Sequence, residues 1–310
     1  MTVKKIIYKI FIGLPRKIYF LILNYYREKL IVKYPNLFRF SSEPYITGDT
    51  FRNIADHVLD DGKSIDLKKV SNGDIIFVQS NYIDNYFENY NLKIKKKHIL
   101  ISHNHYSPVT EKHLENLSEN LIFWLAENLT TSINHDKLKA LPLGIENLKK
   151  FKNGIRSHFE SEQVKINQEK KDKLVLSSFA PHTNLESRKE IAEIVQKINY
   201  IDIATYPDHK NYILNLSKYK FNICPSGIGV DTHRYWESLY VKTIPIVVRN
   251  NLINHYEKYK IPMLILNDWE ELFDFNKEEL NQIYIKENMK FKNDRYMWID
   301  YWIELINNNI

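Results

Sequence analysis

The sequence predicts an α/β protein built of two domains, each a parallel sheet covered by helices. Three observations carry this. The chain has 310 residues, against roughly 100–200 per domain. Short apolar runs of strand type alternate with helical stretches on both sides of a polar segment at 151–172. Hydrophobic residues make up 44% and charged residues 26%, which places the chain among ordinary globular proteins.

Residues 1–40 read as one or two helices broken at Pro15, and Phe51 to Leu59 as a short helix after the polar loop Ser41–Thr50. Strands follow at Asp74–Ser80, His98–Ser102, Leu121–Leu125 and Leu138–Leu143. Helices are expected at Tyr82–Asn91 and Thr110–Ser118. The stretch 149–172 is rich in Lys, Glu, Gln and Asn and reads as a linker or solvated excursion. This sets domain limits of 1–150 and 173–310, with a linker at 151–172. Beyond it the rhythm resumes. Strands are expected at Lys173–Phe179, Tyr200–Thr205, Phe221–Cys224, Ile244–Val248 and Met263–Leu266, and helices at Glu186–Ile198, His209–Ser217 and Thr232–Val241. The last 40 residues are mostly helical, with Trp269, Trp298 and Trp302 as anchors. Two such halves enclose a cleft, a preferred ligand site.

Charge and cysteine content narrow the function classes. A net charge of +6 suits an anionic ligand or membrane surface and is too mild for a nucleic-acid binder. A single cysteine, Cys224, excludes an internal disulfide and points to a reducing cytosol. No apolar run is long enough for a transmembrane helix. The basic, aromatic-rich segment Ile6–Val32 lacks a cleavage site for a signal peptide. It reads either as a peripheral contact with an anionic membrane or as a helix packed on the protein's own body.

The most informative stretch is Phe221–Val248, FNICPSGIGVDTHRYWESLYVKTIPIVV. A buried strand ends at Cys224, and a Pro-Ser-Gly-Ile-Gly turn leads to a helix beginning near Asp231 or Thr232, both good N-caps. The turn therefore sits at a strand's carboxyl end, where open α/β sheets bind ligands. Gly227 and Gly229 let a ligand approach the backbone, and the helix N-terminus attracts anions such as a diphosphate. In the helix, Trp236, Leu239 and Tyr240 share the core side, while Arg234 and Glu237 lie opposite, three residues apart. As a surface ion pair they are poorly arranged: a first-turn cation opposes the helix dipole, and Arg before Glu is the weaker order. A bound anion removes the first objection, and the carboxylate can accept ribose hydroxyls.

That stretch resembles the donor-binding signature of exostosin-type glycosyltransferases, and within them the ribitol xylosyltransferase-like branch. His103-Asn104, Ser107-Pro-Val-Thr110 and Pro142-Leu-Gly-Ile-Glu-Asn147 support the likeness, which spans about residues 70–250. Lys242-Thr243 departs from it, standing where the family often has Gly. The resemblance implies a GT-B fold, with two Rossmann-like domains facing across a cleft and closing C-terminal helices. It also implies a nucleotide-sugar donor in the C-terminal domain, no cofactor and no obligatory metal. Arg234 would contact the donor diphosphate and Glu237 the ribose, while Ser226, Gly227 and Gly229 would line the phosphate turn. Related enzymes turn a similar Thr-Asn-x-x-x-Arg segment toward the cleft. Thr183, Asn184 and Arg188 are then donor contacts, or else an N-cap beside a solvated Arg. The aromatic share of 13%, with 21 Tyr, suits a sugar ligand, although a biased base composition gives the same excess.

Acceptor contacts are expected from Asn104, His105, Glu146 and Asn147, which follow strands of the first domain. His103 and His105 form a His-x-His pair, but no third metal ligand stands at a recognised spacing. The candidates for a catalytic base are Glu43, Asp49 and His103, because the acceptor hydroxyl needs a carboxylate or imidazole within hydrogen-bond reach. The expected reaction moves a sugar, by resemblance from a UDP-linked donor, to a hydroxyl of a glycan or lipid-linked glycan. Its setting would be surface-polysaccharide (capsule or lipopolysaccharide) synthesis at the cytosolic membrane face. Two alternatives stand beside it: a polyol-phosphate transferase with a CDP-linked donor, and a non-catalytic glycan-binding subunit.

Overall fold

The computed structural model describes residues 25, 26, 30, 39–148 and 152–309. Of the expected N-terminal helices and the Ile6–Val32 segment, only Tyr25, Tyr26 and Leu30 are described, as exposed helical residues. The rest, including the break at Pro15 and any membrane contact, lies outside the described residues. Residues Phe40–Ile310 form one compact unit.

The first half of that unit opens with helix α1 (Gly48–Asn53) and strands β1 (His57–Leu59) and β2 (Asp74–Gln79). A short helix α2 (Ile83–Tyr86) runs into a π turn. Strands β3 (His98–His103), β4 (Leu121–Ala126) and β5 (Leu138–Ala140) follow. All pair in parallel in the order β1-β2-β3-β4-β5. Ile76–Val78 and Ile99–Ile101 are buried, as expected of unbroken apolar runs in a parallel sheet covered on both faces. The helix expected over Phe51–Leu59 ends at Asn53, because His57, Val58 and Leu59 pair instead with Ile76, Phe77 and Val78. The helix expected at Thr110–Ser118 is a single 3-10 turn at Glu111–Leu114.

The stretch expected as a linker holds two short helices, α3 (Arg156–Phe159) and α4 (Glu162–Glu169). Few of their residues are apolar, but Phe159 and Val164 are buried, and the Asn167 amide donates to the Leu214 carbonyl and the Ser217 hydroxyl. After them come β6 (Lys173–Ser177), α5 (Leu185–Val195), β7 (Ile201–Ile203) and α6 (His209–Leu216). Strand β8 (Tyr219–Ile223), helix α7 (His233–Tyr240), β9 (Ile244–Val248), α8 (Asn251–Lys258) and β10 (Leu264–Leu266) complete the second sheet. Its order is β10-β9-β8-β6-β7, again parallel. The chain thus builds outward from β6 in one direction and then the other. The switch lies between β6 and β8, and ligands bind outside the strand ends at such a crevice. Lys242 takes φ 55 just past α7, the left-handed position that favours glycine.

Helices α9 (Lys277–Asn288) and α10 (Ile299–Asn307) close the chain. Trp269 packs in the second sheet's core. Helix α10 returns to the first sheet, where Ile299, Trp302 and Ile306 share a core with Phe51, Phe77 and Leu125. Trp298 packs edge-on against Tyr45 and tilted against Tyr240. A third cluster joins Leu100 and Trp124 of the first domain to Trp236, Leu239 and Tyr256 of the second. That shared core holds the carboxyl ends of the two sheets toward one another.

Candidate active site

Three strands of the first domain end in a polar residue followed or shortly joined by Asn: His103-Asn104 after β3, Glu127-Asn128 after β4, and Glu146-Asn147 beyond β5. Asn104 and Asn128 take φ 72 and 50, a left-handed turn that Asn tolerates better than most residues. With α7 and the turns after β6 and β8, they surround a cavity of about 650 Å³.

On the first-domain wall, Asn104 donates through Nδ2 to Asp49 Oδ1 at 3.0 Å and accepts from Asn147 Nδ2 at 2.6 Å. Asn147 Oδ1 in turn accepts the Asp49 N–H at 2.8 Å, closing a ring of three residues. Gly48 makes this approach possible, since a Cβ there would lie 1.9 Å from Asn104 Oδ1. His105 stacks on Tyr106 and contacts the Ser107 hydroxyl through Nδ1 at 2.8 Å. His105, Asn104, Glu146 and Asn147 all line the cavity.

The three expected bases fare differently. Glu43 is exposed, accepts from the Ser41 hydroxyl and does not line the cavity. Asp49 is fully buried beneath the Asn104–Asn147 ring. His103 has both ring nitrogens engaged: Nδ1 lies 2.8 Å from Glu127 Oε2, and Nε2 lies 3.1 Å from the Pro142 carbonyl. His103 lines the cavity, but protein groups occupy both of its ring nitrogens. Burial pushes its pKa down, but the Glu127 carboxylate and the Pro142 carbonyl outweigh this and hold it above the ordinary value of 6.5. Because the folded value is raised, the stabilisation is full below the unfolded pKa and is lost as pH rises through the folded one. The stability advantage of the wild type over His103→Gln is therefore expected to shrink as pH rises above about 6.5, in thermal unfolding followed from that pH upward. An advantage that holds constant across that range would show that the imidazole does not titrate against Glu127.

The second-domain wall is built around Arg188 on α5. Its Nε donates to the Ser226 carbonyl at 2.8 Å, Nη1 to Ala180 at 3.1 Å and to the Thr183 hydroxyl, and Nη2 to the Pro225 carbonyl at 3.0 Å. Four of its five N–H groups are thus used to hold the turns after β6 and β8. Burial, and then the nearby Arg234 charge, draw its pKa down to about 10. Asn184 caps α5 through Oδ1 and donates through Nδ2 to the Gly227 carbonyl at 2.6 Å. It braces the turn from outside the cavity lining, which does include Thr183. The Ser226 hydroxyl bonds back to the Val230 carbonyl and faces a smaller, neighbouring cavity. Gly227 opens onto the main cavity. Gly229 serves the domain contact, because a Cβ there would come within 2.7 Å of Asn128 Oδ1.

Arg234 and Glu237 both line the cavity, one turn apart on α7. The Arg234 guanidinium lies 5.7 Å from the Tyr212 ring centre, and its Nε has no hydrogen-bond partner among the described residues. Thr232 caps α7 without a side-chain hydrogen bond, which leaves first-turn N–H groups for an anion. Glu237 Oε1 accepts from His209 Nε2 at 2.9 Å. Burial alone would raise the Glu237 carboxyl, but the His209 bond and charge, with Arg234 and His233, hold it below the ordinary carboxylate value. Asp231, the expected helix cap, is instead a buried tie between domains. It accepts from Leu143 N–H, Trp236 Nε1 and Tyr256 OH. The tie is reinforced by His233 Nδ1, 2.8 Å from the Gly144 carbonyl.

Two parallel-sheet domains with a switch-point cavity and a terminal helix returning to the first domain fix the architecture. The fold is GT-B-like. No family model matches the chain, and no curated protein matches it in sequence. Among solved structures, it is similar to an α1,3-fucosyltransferase with GDP-fucose at 15% identity, covering 72% of this chain and 70% of that one, with a TM-score of 0.37. The N-terminal domain of trehalose-6-phosphate phosphatase from Candida albicans is 13% identical over 78% of this chain and 71% of that one, TM-score 0.42. The pneumococcal O-GlcNAc transferase GtfA, in complex with UDP and GlcNAc, is 13% identical over 77% of this chain, TM-score 0.30. The chain spans 55% of that protein's length. At these scores the fold assignment rests on this GT-B-like chain's own topology.

Among the described residues no group of three or more His, Cys, Asp and Glu could hold a metal ion, and no helix is long and apolar enough to cross a membrane. Glu127 and Asn128 line the cavity and His209 pairs with Glu237 behind it; sequence reading missed all three. The strand-end pattern of a polar residue followed by Asn could have found the first two. His209 carried no local signal, since its partner Glu237 is remote in sequence.

Proposed function

We propose that this chain is an exostosin-like GT-B glycosyltransferase that moves a sugar from a nucleoside-diphosphate donor to a hydroxyl of a glycan acceptor. One observation carries the reading: Arg234 and Glu237, one turn apart at the start of α7, line a switch-point cavity whose opposite wall is polar and belongs to the other domain. The donor diphosphate lies at the α7 N-terminus against Arg234 and the remaining N–H of Arg188, with the ribose on Glu237. As the sugar–phosphate bond breaks, these groups take up the growing charge on the departing diphosphate. The sugar projects toward the first domain, where Asn104, His105 and Asn147 hold the acceptor. Glu146 replaces Glu43, Asp49 and His103 as the general base. It is the cavity-lining carboxylate of that domain that is partly exposed, whereas Glu127 is 2% exposed against His103.

In this reading, residues 1–150 bind the acceptor and 173–310 the donor. The donor is UDP-linked, and the product belongs to a surface polysaccharide made at the cytosolic membrane face. The test is thermal unfolding with UDP-, GDP- and CDP-linked donors. A ligand at 100 times its Kd stabilises by about 2.7 kcal/mol, so one donor class is expected to raise the midpoint clearly. Release of UDP with the acceptor supports sugar transfer, release of CMP from a CDP-polyol supports polyol-phosphate transfer, and no response to any donor leaves a non-catalytic glycan-binding subunit.

A further inference from the structure

Behind Glu237 stands a hydrogen-bonded line of side chains outside the cavity lining. His209, the first residue of α6, places Nε2 2.9 Å from Glu237 Oε1. The two side chains are 5% and 8% exposed. On its other edge, His209 Nδ1 lies 2.9 Å from Nδ1 of His158 on α3. The rings of Phe159 and Tyr212 flank it, with centres 5.7 and 6.0 Å away. Glu237 lines the cavity and His209 does not.

The proton count in this line is constrained. Burial, then the charges of His209 and Lys210, hold His158 below the ordinary histidine value, so at neutral pH it is neutral. Two nitrogens 2.9 Å apart share a single proton. If His158 supplies it from Nδ1, His209 Nδ1 accepts and the His209 proton sits on Nε2, pointing at Glu237; if His209 supplies it, the ring beside the carboxylate is an imidazolium that carries a proton on Nε2 as well. In the reverse arrangement of a neutral pair, His209 would present a lone pair to a carboxylate, which is repulsive. Either way His209 donates to Glu237, and the His158 contact on its other nitrogen fixes the orientation of the ring.

We propose that His209 is a positioning residue for the donor ribose, its ring held in orientation by His158, so that the helical segment joining the two sheets sets donor affinity. The inference rests on the reading of Glu237 as the ribose acceptor. With Oε1 held by His209, the carboxylate is fixed in rotation and presents its remaining lone pairs to the cavity. Without His209 the carboxylate is free to turn toward Arg234 and away from the ribose.

Calorimetric titration of the full chain with UDP, GDP, their 2′,3′-dideoxy forms and inorganic pyrophosphate separates the two layers of the argument. The wild type is expected to prefer the ribose form of the nucleotide it binds. His209→Phe, sized for the aromatic surround, is expected to lose about tenfold in affinity for that form, the effect of one charge-assisted hydrogen bond. Its affinity for the dideoxy form and for pyrophosphate stays unchanged. His209→Gln, whose amide nitrogen can stand in for Nε2, restores most of the preference, and His158→Phe falls between. A wild-type preference retained in His209→Phe overturns the proposal alone. A wild type with no preference overturns the ribose reading of Glu237 with it. Should His209→Phe fail to fold, His158→Phe decides by the same comparison, and an undiminished preference there overturns the proposal.

Discussion

Arg234→Ala is expected to weaken nucleoside-diphosphate binding by roughly 10- to 150-fold, the loss of about 1.5–3 kcal/mol typical of a hydrogen bond to a charged group. Its effect on the empty protein should be small or stabilising. In the fold Arg234 lies against the Tyr212 ring with its Nε unpartnered among the described residues, and its charge adds to burial in depressing the neighbouring Arg188. A first-turn cation also opposes the helix dipole, by about 0.3–1 kcal/mol. Such an arrangement is unfavourable until an anion arrives. Arg188→Ala is the contrasting variant: it removes four bonds that hold the turns after β6 and β8 and should lower the melting temperature whether or not donor is present. The measurement is thermal unfolding of both variants with and without donor. An Arg234→Ala protein that unfolds early yet keeps its donor-induced shift would make Arg234 a structural residue and remove the proposed diphosphate site.

Most strands were legible in the sequence because a parallel sheet buried on both faces demands apolar runs. Ile75–Val78, Ile99–Ile101 and Ile244–Val248 are such runs, each followed by turn residues. The three residues of β1 were not legible. His57–Leu59 is too short to show a period, and it is a strand only because β2 offers it an edge. The helices at 156–169 escaped for the opposite reason. Their apolar content is low, and Phe159 and Val164 are buried against a helix that lies later in the chain. Local pattern reports what a segment prefers alone, and both misses occur where a remote partner decides.

The same division runs through the site. Arg234, Glu237 and the glycine turn lie within one strand–turn–helix unit, where spacing implies geometry, and all but Pro225 and Ser226 line the main cavity. The proposed base could not be found that way. Glu43, Asp49 and His103 stood close to polar loops in sequence, yet one points to solvent, one lies beneath an amide ring and one has both nitrogens taken. What distinguishes Glu146 from them is access, and access is set by how two domains meet. Arg188 illustrates a further limit. Its place on the cleft was readable, but not that most of its donors hold backbone carbonyls.

Glu146→Gln is expected to lower kcat by about 100- to 10,000-fold, the range for loss of a positioned general base. The substitution keeps shape and one hydrogen-bonding oxygen, so the donor-induced thermal shift and the acceptor KM should change little. Loss in kcat alone marks a group that acts in the transition state rather than in substrate binding. Two controls give the result its meaning. Glu43→Gln should leave kcat unchanged, because that side chain is exposed and outside the cavity. Asn147→Ala opens the ring that joins Asp49, Asn104 and Asn147 and should raise the acceptor KM by a severalfold factor, in keeping with loss of a neutral hydrogen bond. If Glu146→Gln kept wild-type kcat while Glu43→Gln lost it, the acceptor would have to approach from outside this cavity, and the first-domain wall would not be the acceptor side at all.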